Sequence, residues 1–332
     1  MSGELDALVR RHRRLNEMKK GGQVDAASQA LRELWEAGKK PQAIALRHSF
    51  FDTNQPPPPM AGLLNPRGIA MRFYLLALFE AQCRLDVGEQ RVGSRPIAGR
   101  NGWADLVAID GAYDAETGKY MRGGTKQDRD LETLRLRQVQ GALRTMEKLG
   151  NDRHQALVDI PTKDNGHRLY DAFTLMAESG RGRLQTPDRY SVPKLERSKA
   201  FRVPAAFFLN GWVQVLHPSE IATWLIFQAL SQHFPGKHDD EGNFLVGDVR
   251  KRFGLRRDAY EDARRRLCSF GLLRIARPKS EQTSIFSQPI APRERYEPHR
   301  YQVVHGGLGE KALDRCLKEI TFLQNELRKR KS

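Results

Sequence analysis

The chain has 332 residues, and 56 Lys and Arg against 40 Asp and Glu give it a formal charge of +16. That length leaves room for two or three domains, and that charge favours a polyanionic partner, a nucleic acid or an anionic surface, over a basic one. Cys83, Cys268 and Cys316 form no CxxC pair, and no apolar run is long enough to cross a bilayer, so a zinc finger, a disulfide framework and a membrane span are excluded and a cytoplasmic location is expected.

Residues 1–55 read as a basic helical segment. Leu5, Leu8, Val9, His12 and Leu15 share one helical face, and Arg10, Arg11, Arg13 and Arg14 crowd the rest. A second helix carries Ala27, Ala30, Leu31 and Leu34 and ends near Gly38. The proline-rich stretch 56–62 reads as a stiff linker. A first domain is expected over 63–179, with a buried helix through Phe73 and Phe79 and a polar insertion over 111–130. Its second helix covers 131–149, and two strands follow around a turn over 163–168. A polar linker over 180–200 leads to a second domain over 201–305. That domain opens on an apolar stretch and on a helix started by Pro218 and Glu220.

The most informative stretch runs from Asn243 to Leu273. Val246, Val249 and Phe253 have helical spacing, and Gly254 allows a left-handed break. Tyr260, Ala263, Leu267 and Phe270 then mark one face of a second helix, which Gly271 stops. Leu272, Leu273 and Ile275 begin a strand, a long polar turn carries Lys279, Arg293 and Arg295, and 301–304 closes as a strand. The order is helix, turn, helix, hairpin, and in such a motif the second helix enters the DNA major groove. A solvated helical hairpin is the plainer alternative.

The pattern recurs. At an offset of 121, Val139, Ala142, Met146, Leu149 and Gly150 fall on Tyr260, Ala263, Leu267, Phe270 and Gly271. The expected fold is therefore mainly α with small β-wings: two winged helix-turn-helix domains in tandem, flanked by N- and C-terminal helices. Tyr260, Ala263, Leu267 and Gly271-Leu272-Leu273 resemble the recognition-helix signature of bacterial winged-helix regulators. The tandem arrangement is similar to that of plasmid replication initiators. These resemblances imply sequence-specific binding of double-stranded DNA in transcription or replication, and iterated origin repeats as the target of an initiator. Two positions depart from the pattern: Arg256 replaces the usual Ser or Thr cap, and Arg264 stands where the first unit has Leu143.

On the second unit, Arg256, Arg257, Asp258, Glu261 and Arg265 are the candidate base-contacting residues, because Arg pairs bidentately with guanine and a carboxylate accepts from cytosine. Asp258 and Glu261 also suit a helix N-terminus on electrostatic grounds alone. Arg250, Lys251 and Arg252 are candidates for phosphate. On the first unit the outward set is Arg135, Arg137, Gln138, Gln140 and Arg144. The wings add Lys163, His167 and Arg168, and Lys279, Arg293 and Arg295.

No enzyme motif with the right spacing occurs, and no cofactor or metal is expected. Asp105, Asp110, Asp114 and Glu116 form an acidic patch, which leaves a metal-dependent nuclease as an alternative from another class. The helix over 308–332 carries Leu313, Cys316, Ile320, Leu323 and Leu327 at spacings of three and four. That face is either a homodimer seam, as in a scaffold, or packing on its own domain. It ends on Arg328-Lys329-Arg330-Lys331.

Overall fold

The computed structural model describes residues 2–51, 57–64, 68–90, 95–99, 101–108, 113–114, 119–120, 128–196, 198–276 and 299–330. It is mainly helical, with small two-stranded antiparallel sheets. No described helix is long and apolar enough to cross a membrane.

Helices α1 (Ser2–Lys20) and α2 (Gln23–Ala37) come first. The buried row of α1 is Leu8, Arg11, Leu15 and Met18, whereas Val9 is exposed. The helix is thus rotated from the face that the apolar residues alone mark. Strand β1 (Ala43–Arg47) follows, where only helices are expected from sequence. Its partner is β6 (Ala200–Pro204), with Ala43 opposite Pro204 and Arg47 opposite Ala200. No local signal announces a strand whose partner lies so far along the chain.

The stretch read as a proline linker ends in helix α3 (Pro59–Leu64), whose Met60 and Leu63 are buried. Helix α4 (Ala70–Arg84) is buried on all sides apart from Arg84, as its almost continuous apolar sequence requires. A small hairpin pairs β2 (Tyr113–Asp114) with β3 (Lys119–Tyr120). Helix α5 (Asp128–Glu147) then leads to a second hairpin, β4 (Val158–Asp159) with β5 (Thr174–Leu175). That hairpin carries the expected turn, in which the Lys163 amide donates to the His167 carbonyl at 2.9 Å.

Short helices α6 (Ala206–Leu209) and α7 (Trp212–Val215) precede the buried helix α8 (Pro218–His233). Pro218 starts α8 because its missing N–H would have no intrahelical partner there. Glu220 accepts from the His217 amide at 2.9 Å, closing the helix entry. Helices α9 (Pro235–Asp240), α10 (Gly247–Arg252) and α11 (Arg257–Ser269) follow, then strands β7 (Leu273–Ile275) and β8 (Tyr301–Val303), which pair antiparallel. Helix α12 (Ala312–Lys329) ends the described fold.

The five positions matched across the repeat take equivalent places. Val139, Ala142, Met146 and Leu149 on the first copy, and Tyr260, Ala263, Leu267 and Phe270 on the second, are all buried. Gly150 and Gly271 both take a left-handed φ, of 75° and 76°. Gly254, at φ 74° between α10 and α11, is required twice over: a Cβ there would meet the Ala61 Cβ of α3 at 2.4 Å.

The boundaries drawn from composition do not separate two cores. One continuous apolar cluster includes residues of α1, α4, α8, α11 and α12. Buried polar side chains join the halves. Gln214 of α7 donates to the Leu106 carbonyl at 2.8 Å and accepts from the Ala108 amide at 3.0 Å. Arg72 of α4 reaches the carbonyls of Val213 and Ala108. The stretch 180–200, expected to be a linker, is docked as well. Tyr190 is buried and accepts from Gln82 at 2.8 Å, and Gln82 also donates to the Ala45 carbonyl of β1 at 2.7 Å. Glu178, fully buried, accepts from Arg47 of β1. Burial pushes the Glu178 carboxyl above its usual range, against the pull of the Arg47 charge.

Candidate nucleic-acid interface

Helix α11 turns Tyr260, Ala263 and Leu267 inward, as its spacing demands. That leaves Arg256, Arg257, Asp258 and Arg265 exposed, with Glu261 half-buried between turns. Arg256 and Arg257 make no ion pair with any described residue. Arg265 is partly engaged, 2.7 Å from Asp262 and 4.0 Å from Glu4 of α1. On α10, Lys251 is exposed and loosely paired with Asp248 at 3.8 Å, and Arg252 is exposed beside the Phe253 ring.

Arg250 is not free for phosphate. It is buried and donates to the Leu255 carbonyl at 2.6 Å, bracing the turn between α10 and α11. The reason is its register: on a helix of six residues, position 250 faces the turn and not solvent. Arg264 explains its own departure from the pattern. It donates to the Tyr301 hydroxyl of β8 and to Glu261. Burial works against its charge, but the Glu261 carboxylate and the Tyr301 hydroxyl more than offset this, and its pKa rises. The Arg264 guanidinium therefore ties α11 to the hairpin and fixes the Glu261 side chain.

A groove of about 370 Å³ lies between the start of α11 and β8, lined in part by Phe244, Val246, Arg257, Glu261, His299 and Tyr301. Phe244 has cations near its ring, Lys237 at 5.8 Å and Arg300 at 5.3 Å. Sequence reading missed this edge, because His299 and Arg300 come beside Phe244 through the bridge between Asn243 and Tyr301, which lie far apart in the chain.

On α5, Arg137 and Arg144 are exposed and Gln138 and Gln140 half-buried. Arg135 instead bonds to Gln23 at the start of α2. At the first hairpin Lys163 and His167 are exposed at the turn. Arg168 is not a free wing cation: it pairs with Glu147, whose buried carboxylate also takes Arg153 at 2.8 Å. A buried carboxylate needs that compensation, so Arg168 is drawn onto the body of the fold. Lys279, Arg293 and Arg295 lie outside the described residues.

The face of α12 offered as a homodimer seam is covered within the chain. Leu313, Cys316 and Ile320 are buried, Leu323 and Leu327 pack on the same core, and α1 lies along the helix. Of the acidic patch, Asp105 caps the Asn101 amide at 2.9 Å, Asp114 sits on β2, and Asp110 and Glu116 are outside the described residues. Among the described residues no three His, Cys, Asp or Glu side chains are grouped to hold a metal ion. His238 has both ring nitrogens engaged, with Asp239 at 2.9 Å and with the Val303 amide at 2.9 Å.

Compared with protein-family models, with curated proteins and with solved structures, the chain matches none.

Proposed function

We propose that this chain binds double-stranded DNA sequence-specifically through two fused winged-helix units, in transcription or replication control. The observation that carries the proposal is the pair Arg256 and Arg257: exposed, without carboxylate partners among the described residues, at the N-terminal end of α11, with a hairpin behind it. A recognition helix presents its N-terminal residues to base edges in the major groove, and unpaired guanidinium groups there suit guanine or phosphate. Glu261, held by Arg264, lies one turn after Arg257 on α11, and on this reading its carboxylate accepts from cytosine.

The common core favours the replication-initiator version of this reading. Gln214 and Arg72 hold the two units together, which suits a target made of two fixed segments within one repeat. The test is binding of the full chain to the DNA directly upstream of its gene and to unrelated DNA, over a range of salt. A preference of at least about 10³-fold that survives rising salt supports the proposal. Equal binding of both, abolished steeply by salt, overturns its sequence-specific part.

A further inference from the structure

We infer that the helix pair α1–α12 forms a second contact to the DNA backbone, continuous with α11 and gripping phosphates that flank the sequence α11 reads. This inference rests on the reading of α11 as a DNA-binding helix. It is carried by a geometry that sequence does not show.

His12 of α1 meets Thr321 of α12 at 3.1 Å, and Lys19 meets Asp314 at 2.7 Å. As the chain advances along α1, its partner retreats along α12, so the two helices run antiparallel. The same register carried back along α1 brings Glu4 level with the C-terminal turn of α12. Glu4 is also the residue that touches α11, 3.4 Å from Arg266 and 4.0 Å from Arg265. Arg11, further along α1, lies over the Phe270 ring just past the end of α11. The start of α1, the end of α12 and the C-terminal half of α11 therefore share one corner of the molecule.

That corner is cationic. Arg328, Lys329 and Arg330 are exposed there at the end of α12, and Arg10 and Arg13 are exposed further along α1, on sides of the helix turned away from Arg11. Arg10, Arg13, Arg328 and Arg330 make no ion pair with any described residue, and Lys329 has Glu326 at 3.4 Å. Guanidinium groups of this kind bind phosphate oxygens bidentately and carry no sequence information by themselves. DNA lying along α11 beyond its base-reading end would meet the α12 cations first, and Arg10 and Arg13 where it continues around α1. A simpler account of the α12 cations is that they complement the negative end of the helix dipole. That account reaches only the last turn, and it leaves Arg10 and Arg13 unexplained.

The experiment compares the full chain with Arg328→Ala/Arg330→Ala and with Arg10→Ala/Arg13→Ala, on the upstream duplex and on an unrelated duplex of equal length. The slope of log K against log salt is measured for each. Every pair should reduce the magnitude of the slope by about 2, at roughly 0.9 for each phosphate no longer neutralised. The preference for upstream DNA should stay unchanged, and hydroxyl-radical protection should shrink on one flank only. A slope unchanged in both pairs, with wild-type binding intact, overturns the inference and leaves the α11 reading standing. Wild-type protein that binds neither duplex overturns both.

Discussion

Two arginine-rich stretches look alike in sequence, and each divides its members between two fates in the fold. On α1, Arg10, Arg11, Arg13 and Arg14 follow one another closely, and from α10 to α11 come Arg250, Lys251, Arg252, Arg256 and Arg257. Each stretch sends one member inward. Arg11 enters the core and meets Glu220 of α8, with Nη2 and Oε2 2.7 Å apart. Arg250 turns onto the Leu255 carbonyl. Arg10, Arg13, Lys251, Arg256 and Arg257 stay exposed at the surface. What separates the two fates is the cost of stripping water from a guanidinium, which is offset only where a carboxylate or a well-placed carbonyl waits.

The largest effect is expected at Arg11. Arg11→Ala leaves Glu220 buried without its countercharge, and a loss of about 3–5 kcal/mol is expected from denaturant unfolding. Restoring much of that loss in Arg11→Ala/Glu220→Gln would show that the orphaned charge, and not poorer packing, is responsible. Acid should act on the same place. Burial tends to raise the Glu220 carboxyl, but the Arg11 charge holds it below its ordinary value. Its stabilising contribution is thus complete above that value and is lost as pH falls through the lower folded one. His217 adds to the effect. Burial and the charge of Arg11 push its imidazole down from 6.5 to about 3. The unfolded chain takes up that proton first, so stability should fall as pH drops across this window. His217→Gln should flatten this limb, and an unchanged acid profile in that variant would show that another group sets it.

Next in size is the contrast within the second stretch. Arg250→Ala removes a hydrogen bond from a charged donor to a buried carbonyl and should cost roughly 1.5–3 kcal/mol of stability. Its salt slope on DNA should not change. Arg256→Ala/Arg257→Ala should do the reverse. Its stability stays within about 0.5 kcal/mol of wild type, because both side chains are exposed. Binding to the preferred DNA weakens by about 1–3 kcal/mol for each bidentate base interaction removed. If the double variant keeps full preference while Arg250→Ala loses it, the assignment of interior and surface roles is inverted.

How far sequence carries this distinction depends on where each partner lies. The inward face of α11, the stop at Gly271 and the turn at Gly254 are written in local spacing and could be read directly. So could the match between α5 and α11, because both copies bury the same four apolar positions and end on a glycine of left-handed φ. Arg11 could not be read, because its partner is on α8 and only the packing of α1 brings them together. The same holds for Arg168, claimed by the buried Glu147, and for Arg135, which bonds to Gln23. The strand β1 was illegible for the same reason, since its partner β6 lies far away in the chain, whereas packing of α12 on its own chain was one of the two readings its spacing allowed. Sequence shows which residues are charged and which faces are apolar, but the desolvation partners are set by tertiary contacts.

The smallest expected effect is at the seam between the two stretches. Glu4 belongs to α1 and leans on Arg265 and Arg266 of α11, with its side chain 40% exposed. A pair this open is worth at most about 1 kcal/mol, so Glu4→Gln should leave stability almost unchanged. On DNA the carboxylate competes with phosphate for Arg265. Removing it should raise affinity by no more than roughly fivefold, the equivalent of that same pair energy. It should also steepen the salt slope by about 0.9, as one more guanidinium becomes available to phosphate. The effect should vanish in Arg265→Ala, because the competition then has no object. A gain in affinity that persists without Arg265 would mean that Glu4 acts only through the overall charge, and that α11 ends its contact with DNA before Arg265.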